Sequence, residues 1–139
     1  MYLFRATEPR IFNFLDPKLL EDPHYPKKKF VRDFSDFMLR EPDKSLVLVL
    51  VEEQELIGYL VAAALDEENL FIVQVYMDSH IANTRWPRRV LEETENFARD
   101  LRLKRLRAET RRSPEAFLRK WGFETATTII CKEIDYASQ

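Results

Sequence analysis

Glycine is nearly missing from this chain, with two among 139 residues, Gly58 and Gly122. Glycine is what ordinarily lets a backbone close on a phosphate, so the loop from Ser79 to Arg85 has to work without it. Cysteine is scarcer still. Cys131 is alone, which excludes an intrachain disulfide, and with only His24 and His80 to add the chain lacks the residues of a zinc site. The expected metal complement is therefore none, and a cytoplasmic location fits the cysteine usage. No apolar run approaches the ~20 residues of a membrane span. The Met1–Arg5 start has no basic flank followed by a long apolar core, so no signal peptide is expected.

Apolar residues make up 45% of the chain, which excludes a disordered protein. The length suits one domain over residues 1–139 that buries a core without metals or disulfides. The net charge of −2 is unevenly spread: residues 85–120 carry 12 basic and 6 acidic side chains, residues 1–84 carry 9 and 15. The later half thus favours anions. Solvated helix faces account for the same charges.

The stretch from Ile72 to Leu101 organises the rest. A β-branched run, Ile72 to Asp78, turns through residues 79–85 into an amphipathic helix from about Trp86, with Thr84 as its cap and Pro87 in its first turn. The first N–H groups of such a helix are unpaired and its dipole favours an anion. Trp86, Val90, Thr94, Phe97 and Leu101 share one face. Arg88–Glu92, Arg89–Glu93 and Glu95–Arg99 are spaced as ion pairs on the other.

Around this unit the pattern predicts a first strand at Tyr2–Ala6 and a short apolar helix capped by Thr7. A clear amphipathic helix comes next at Lys27–Arg40, with Phe30, Phe34, Phe37 and Met38 inward. Ser45 to Val51 is apolar on both faces, hence a central strand covered on both sides. Leu56–Leu65 and Leu70–Met77 complete an antiparallel meander, and Gly58 marks a bulge or a close approach. A strand at Leu103–Glu109 is expected parallel to its predecessor through the helix. A helix from Ser113, with Gly122 at its end, and one last strand at Thr125–Ile134 close the chain.

This order of elements resembles the GNAT superfamily of acyl-CoA-dependent N-acetyltransferases over nearly the whole chain. Glu55-Leu-Ile-Gly58-Tyr-Leu is similar to the family's third strand. Ala116-Phe117-Leu118-Arg119-Lys120-Trp121-Gly122-Phe123 is similar to a shortened A-x-x-F-Y-x-x-x-G-F region. Lys104–Thr110 and Ile130–Ile134 are similar to its fifth strand and its ending. The resemblance implies an α/β fold with a mixed central sheet and helices on both faces. It implies acetyl-CoA as co-substrate and an amine acceptor, small molecule or protein. The chain is expected to act as a monomer or homodimer, away from the membrane, with nucleic acid a weaker alternative through the basic half. A module of the same fold without catalysis is the other alternative.

In that family, fourth-strand backbone pairs with the pantetheine arm, which points here to Val75 and Met77. The pyrophosphate loop, (Q/R)-x-x-G-x-(G/A), falls on Ala82 to Pro87, where neither glycine is kept and Pro87 removes a donor. Thr84, Arg85, Arg88 and Arg89 are the candidates to hold phosphates in its place, the arginines through guanidinium groups. The family's tyrosine acid is replaced by Leu118, and Gln74 stands where a glutamate base would be useful. Tyr76, Asp78 and His80 are the titratable residues nearest the strand's end, and so the candidates for proton transfer. Tyr25, Phe12 and Phe14 either line an acceptor pocket or pack in the core.

Overall fold

The computed structural model describes residues 1–21, 25–109, 124–126 and 129–136. The strands are β1 (Tyr2–Arg5), β2 (Ser45–Glu52), β3 (Glu55–Ala63), β4 (Asn69–Met77), β5 (Arg105–Glu109), β6 (Glu124–Ala126) and β7 (Ile129–Glu133). The helices are α1 (Ile11–Leu15), α2 (Lys27–Arg40) and α3 (Trp86–Asp100), with single 3-10 turns at Asp16–Lys18, Pro42–Lys44 and Ser79–Ile81. The seven strands form one mixed sheet in the order β1-β2-β3-β4-β5-β7-β6, in which only β4 and β5 pair in parallel. The expected last strand is thus two, β6 pairing antiparallel with β7. The expected helix from Ser113 lies outside the described residues, as does His24.

Alternation along β2 and β3 builds two cores. Leu46, Leu48, Leu60 and Ala62 pack with Leu70, Val90, Leu91, Ala98 and Leu106 on the α3 side. Val47, Val49, Tyr59 and Val61 pack with Phe12, Leu15, Phe30, Phe34 and Met38 on the side of α1 and α2. Successive strand residues point to opposite faces, so the uninterrupted apolar run of β2 is what a strand covered on both sides requires. Phe12 belongs to this core, edge-on to Phe30 and Phe34. Phe14 and Tyr25 are exposed. Among the described residues no helix is long and apolar enough to cross a membrane.

Two irregularities in the meander set the course of β4. Between β2 and β3 the register shifts at Ile57, beside Gly58. A Cβ on Gly58 would lie 2.8 Å from Met77 Sδ and 3.1 Å from the Tyr76 carbonyl oxygen, so close approach of β4 explains this glycine. Between β3 and β4 the pairing passes from Val61↔Gln74 to Ala62↔Ile72, leaving Val73 as an extra residue. Such a bulge bends the strand and reverses the phase of its side chains. Leu70 and Ile72 face α3; beyond the bulge Val75 and Met77 take that face, and Tyr76 turns to the α1 and α2 side.

The shortage of glycine shows in the turns. Glu53 and Gln54, the two residues between paired Glu52 and Glu55, have φ of 52° and 70°, the left-handed pair of a tight hairpin turn. At the end of α3, Leu103 N–H donates to Ala98 O and Arg102 N–H to Arg99 O, both at 2.9 Å, with Arg102 at φ 59°. These two bonds form a Schellman cap, normally closed by glycine. An arginine in the left-handed region costs about 1–2 kcal/mol. Replacing it, Arg102→Gly, is therefore expected to stabilise the fold by about 1 kcal/mol after the added freedom of the unfolded chain is offset. Urea unfolding of both proteins checks this, and an unchanged or lower midpoint contradicts it.

Candidate active site at the open edge of the fourth strand

Among the described residues, pairing between β4 and β5 runs from Asn69↔Arg105 to Ile72↔Ala108. β4 continues to Met77, and Glu109 of β5 pairs with Ile129 of β7. The bulge at Val73 thus follows directly on the last described rung of the parallel ladder. The Asp78 N–H donates to Ile57 O at 2.8 Å, extending the antiparallel ladder with β3. In such a ladder residues alternate between those bonded to the partner and those facing away. Tyr76 therefore directs its backbone groups at β3, while Val75 and Met77 direct theirs at the opposite edge. No described residue pairs with them there.

The chain then makes the 3-10 turn Ser79–Ile81, anchored by buried Ile81 against Leu50 and Ile57. It enters α3 with Arg85, one residue later than expected, as the N-cap and with no side-chain bond at that cap. Thr84 donates its hydroxyl to Ile81 O at 2.6 Å and accepts from Trp86 N–H at 3.3 Å. Similarly, α1 is capped by Arg10, not Thr7. Pro87 has no donor, and the Arg88 N–H has no partner among the described residues. Arg85, Arg88 and Arg89 are exposed. Of the three expected ion pairs on this helix only Glu95–Arg99 forms, at 3.8 Å. Arg88 and Arg89 reach no carboxylate among the described residues, and Arg85 lies over the Trp86 ring at 5.3 Å.

A polar cluster sits on the α1 and α2 side of the same strand end. Tyr76 donates its hydroxyl to Asp78 Oδ1. Lys18 Nζ donates to the Tyr76 oxygen at 3.1 Å and lies 3.5 Å from Asp78 Oδ1. The hydrogen bond to Tyr76, followed by the charge of Asp78, holds the Lys18 ammonium above the usual lysine range. His80 stands 3.9 Å from Asp78 Oδ2 through Nδ1 and 3.8 Å from Glu52 Oε2 through Nε2. Behind them Tyr59, wholly buried, stacks on Tyr76 with centroids 5.9 Å apart. Burial pushes the Tyr59 hydroxyl upward, so it serves as a hydrogen-bonding group and not as an acid. It lies 3.1 Å from Lys18 O and 2.9 Å from Gln74 Oε1, which also accepts from Leu20 N–H at 3.4 Å.

The structure brings Tyr76, Asp78 and His80 together, and places Val75, Met77 and the arginines along the open edge and the helix start that continues it. Gln74 is a brace tying the turn after α1 to the sheet. Tyr25 is held by Asp33, to which it donates at 2.6 Å; burial, followed by that bond, pushes its hydroxyl up to about 12. Lys18 and Glu52 were missed. Lys18 meets Tyr76 across 58 residues of sequence, and no local pattern announces such a contact. Leu118 lies outside the described residues.

The family whose model matches the sequence is the Acetyltransferase (GNAT) family, over residues 9–123. No curated protein sequence matches the chain. Among solved structures, Ard1 from Thermoplasma volcanium is similar at 12% identity and a TM-score of 0.69, covering 96% of this chain and 97% of that one. An acetyltransferase of the GNAT family from Streptococcus pneumoniae reaches 14% and 0.67, over 96% and 99%. PaiA N-acetyltransferase from Thermoplasma acidophilum, solved in complex with coenzyme A, reaches 14% and 0.63, over 96% and 99%. At these identities the structures establish a shared fold. The sequence match spans most of the chain, so this chain belongs to the GNAT acetyltransferase family.

Proposed function

We propose that the chain transfers the acetyl group of acetyl-CoA to an amine. The observation that carries this reading is the open edge of β4. Backbone groups of Val75 and Met77 face an edge on which no described residue pairs with them, and the strand leads through one 3-10 turn to the N-terminus of α3, the layout a pantetheine arm ending in a pyrophosphate would fill. An unpaired Arg88 N–H and the exposed Arg85, Arg88 and Arg89 suit the phosphates there. Coenzyme A bound to structures of the same fold supports the assignment. The two missing glycines shift the phosphate contacts from backbone to side chain.

When bound, the co-substrate supplies an acyl group activated as a thioester. The acceptor must present a free electron pair, so its ammonium has to lose a proton before the new C–N bond forms and the C–S bond breaks. His80, beside Asp78 and exposed on the 3-10 turn, is placed to take that proton, and Asp78 to stabilise the imidazolium. Tyr76, linked to Asp78 and Lys18, is the hydroxyl that can return a proton to the leaving sulfur. Orientation along β4 supplies much of the remaining acceleration.

Two measurements test this. His80→Ala is expected to lower the acetylation rate by roughly 10²–10⁴, what a general base contributes, and to flatten the pH–rate profile; an unchanged profile would make His80 a bystander. Titration calorimetry addresses the phosphates. Coenzyme A should bind with an affinity that falls markedly as salt is raised, because exposed guanidinium contacts are screened. Arg85→Ala and Arg88→Ala should each weaken it by about 1–3 kcal/mol, the range for charge-assisted bonds. Absence of binding near millimolar concentration would leave a module without catalysis. Tight, salt-insensitive binding would show that the loop grips phosphate through its backbone.

A further inference from the structure

The cluster beside β4 already holds a primary amine of the protein's own. The Lys18 ammonium lies 3.1 Å from the Tyr76 hydroxyl oxygen, 3.5 Å from Asp78 Oδ1 and 5.2 Å from the Tyr76 ring centroid. Those three contacts together are the chemistry by which a protein recognises an alkylammonium: a hydroxyl oxygen, a carboxylate and an aromatic face. We propose that this is the seat of the acceptor, that the acceptor is a primary alkyl ammonium, and that Lys18 occupies the seat until the acceptor displaces it. The inference deepens the acetyltransferase reading and rests on it for calling the seat an acceptor site.

Seat and occupant differ in how firmly they are held. Tyr76 is fixed by stacking on the buried Tyr59. Asp78 is fixed by its backbone bond to β3 and by the 3-10 turn it starts. The Lys18 backbone is pinned too, between buried Leu15 and Leu19 and through its carbonyl to Tyr59. Its side chain, however, is 40% exposed, so the ammonium can leave for water while the rest of the turn stays in place. An exposed ion pair holds its partners weakly, and an incoming ammonium can break it.

The same geometry selects the sign of the acceptor. Asp78 faces the seat and Glu52 flanks it through His80, so a carboxylate-bearing acceptor would meet negative charge once Lys18 had moved. An alkylammonium replaces like with like. Both a free alkylamine and the side chain of a protein lysine carry this group.

The test is a titration of the whole chain, followed by the amide resonances of Tyr76 and Asp78. The probes are n-butylamine, which reproduces the end of a lysine, and Nα-acetyllysine amide. Emptying the seat with Lys18→Met, or with Lys18→Gln should the first variant unfold, is expected to tighten n-butylamine binding about fivefold, the upper end for an exposed ion pair. Adding Asp78→Asn to either variant should abolish the gain. Lys28→Met removes an equal charge from the exposed start of α2 without touching the turn that carries Lys18, and should bind as the wild type does. Equal or weaker binding in both Lys18 variants overturns the proposal, as does a matching gain in Lys28→Met, which would reduce the effect to net charge. Preference for the lysine amide over n-butylamine points to a protein acceptor, and the reverse to a small amine. Acetyl transfer is assayed separately. Its absence in a protein whose Lys18 variants gain amine binding contradicts the acetyltransferase reading and leaves the seat intact.

Discussion

A strand that outruns its neighbour leaves backbone polar groups without partners, and buried N–H and C=O groups must be satisfied by something. β4 is such a strand. Among the described residues its parallel partner accompanies it for four rungs, Asn69 to Ile72, and β4 has no described partner on that edge from there to Met77. The extra residue at Val73 follows the last of those rungs, bending β4 and shifting its remaining side chains by one position. Without the bulge Tyr76 would face α3 and could not stack on Tyr59. A single inserted residue therefore brings Tyr76 to the face where the polar cluster assembles.

Gly58 and the helix start respond to the same constraint in opposite ways. Where β4 crowds β3, the chain keeps a glycine, because a side chain there would meet Met77 and the Tyr76 carbonyl. Where the strand leads into α3, it has none, and Pro87 takes a further donor away. Three exposed arginines concentrate there instead, none with a carboxylate partner among the described residues. A guanidinium brings charge and a planar pair of donors on a mobile arm. Under the proposed function such arms would take the place of a backbone cradle, and their hold on phosphate would weaken as ionic strength rises.

Much of this fold is legible in the sequence, because its strongest signals are periodic. The six-residue apolar run of β2, Leu46 to Val51, and the inward spacing of Phe30, Phe34 and Met38 announce a doubly covered strand and the helix over it. The strand–helix–strand unit implies the parallel pair. What escapes is whatever depends on φ or on distant contact. The Schellman cap at Arg102 and the turn at Glu53-Gln54 carry no glycine to reveal them. The division of the last strand into β6 and β7 has no turn dipeptide to mark it. At the candidate site, Tyr76, Asp78 and His80 are neighbours in sequence and could be named together. Lys18 comes from the connection between β1 and β2, 58 residues before Tyr76, and could not. The ion pairs expected for Arg88 and Arg89 rested on spacing alone, and in the fold neither arginine makes them.

In the proposed function the edge of β4 that no described strand pairs with receives the co-substrate's arm through the backbone of Val75 and Met77. Amide spectra recorded with and without coenzyme A address it most directly. Coenzyme A should shift the Val75 and Met77 amides and slow their hydrogen exchange, leaving the Tyr76 amide, already bonded towards β3, little changed. Shifts confined to the arginine-rich start of α3, with Val75 and Met77 unmoved, would contradict it.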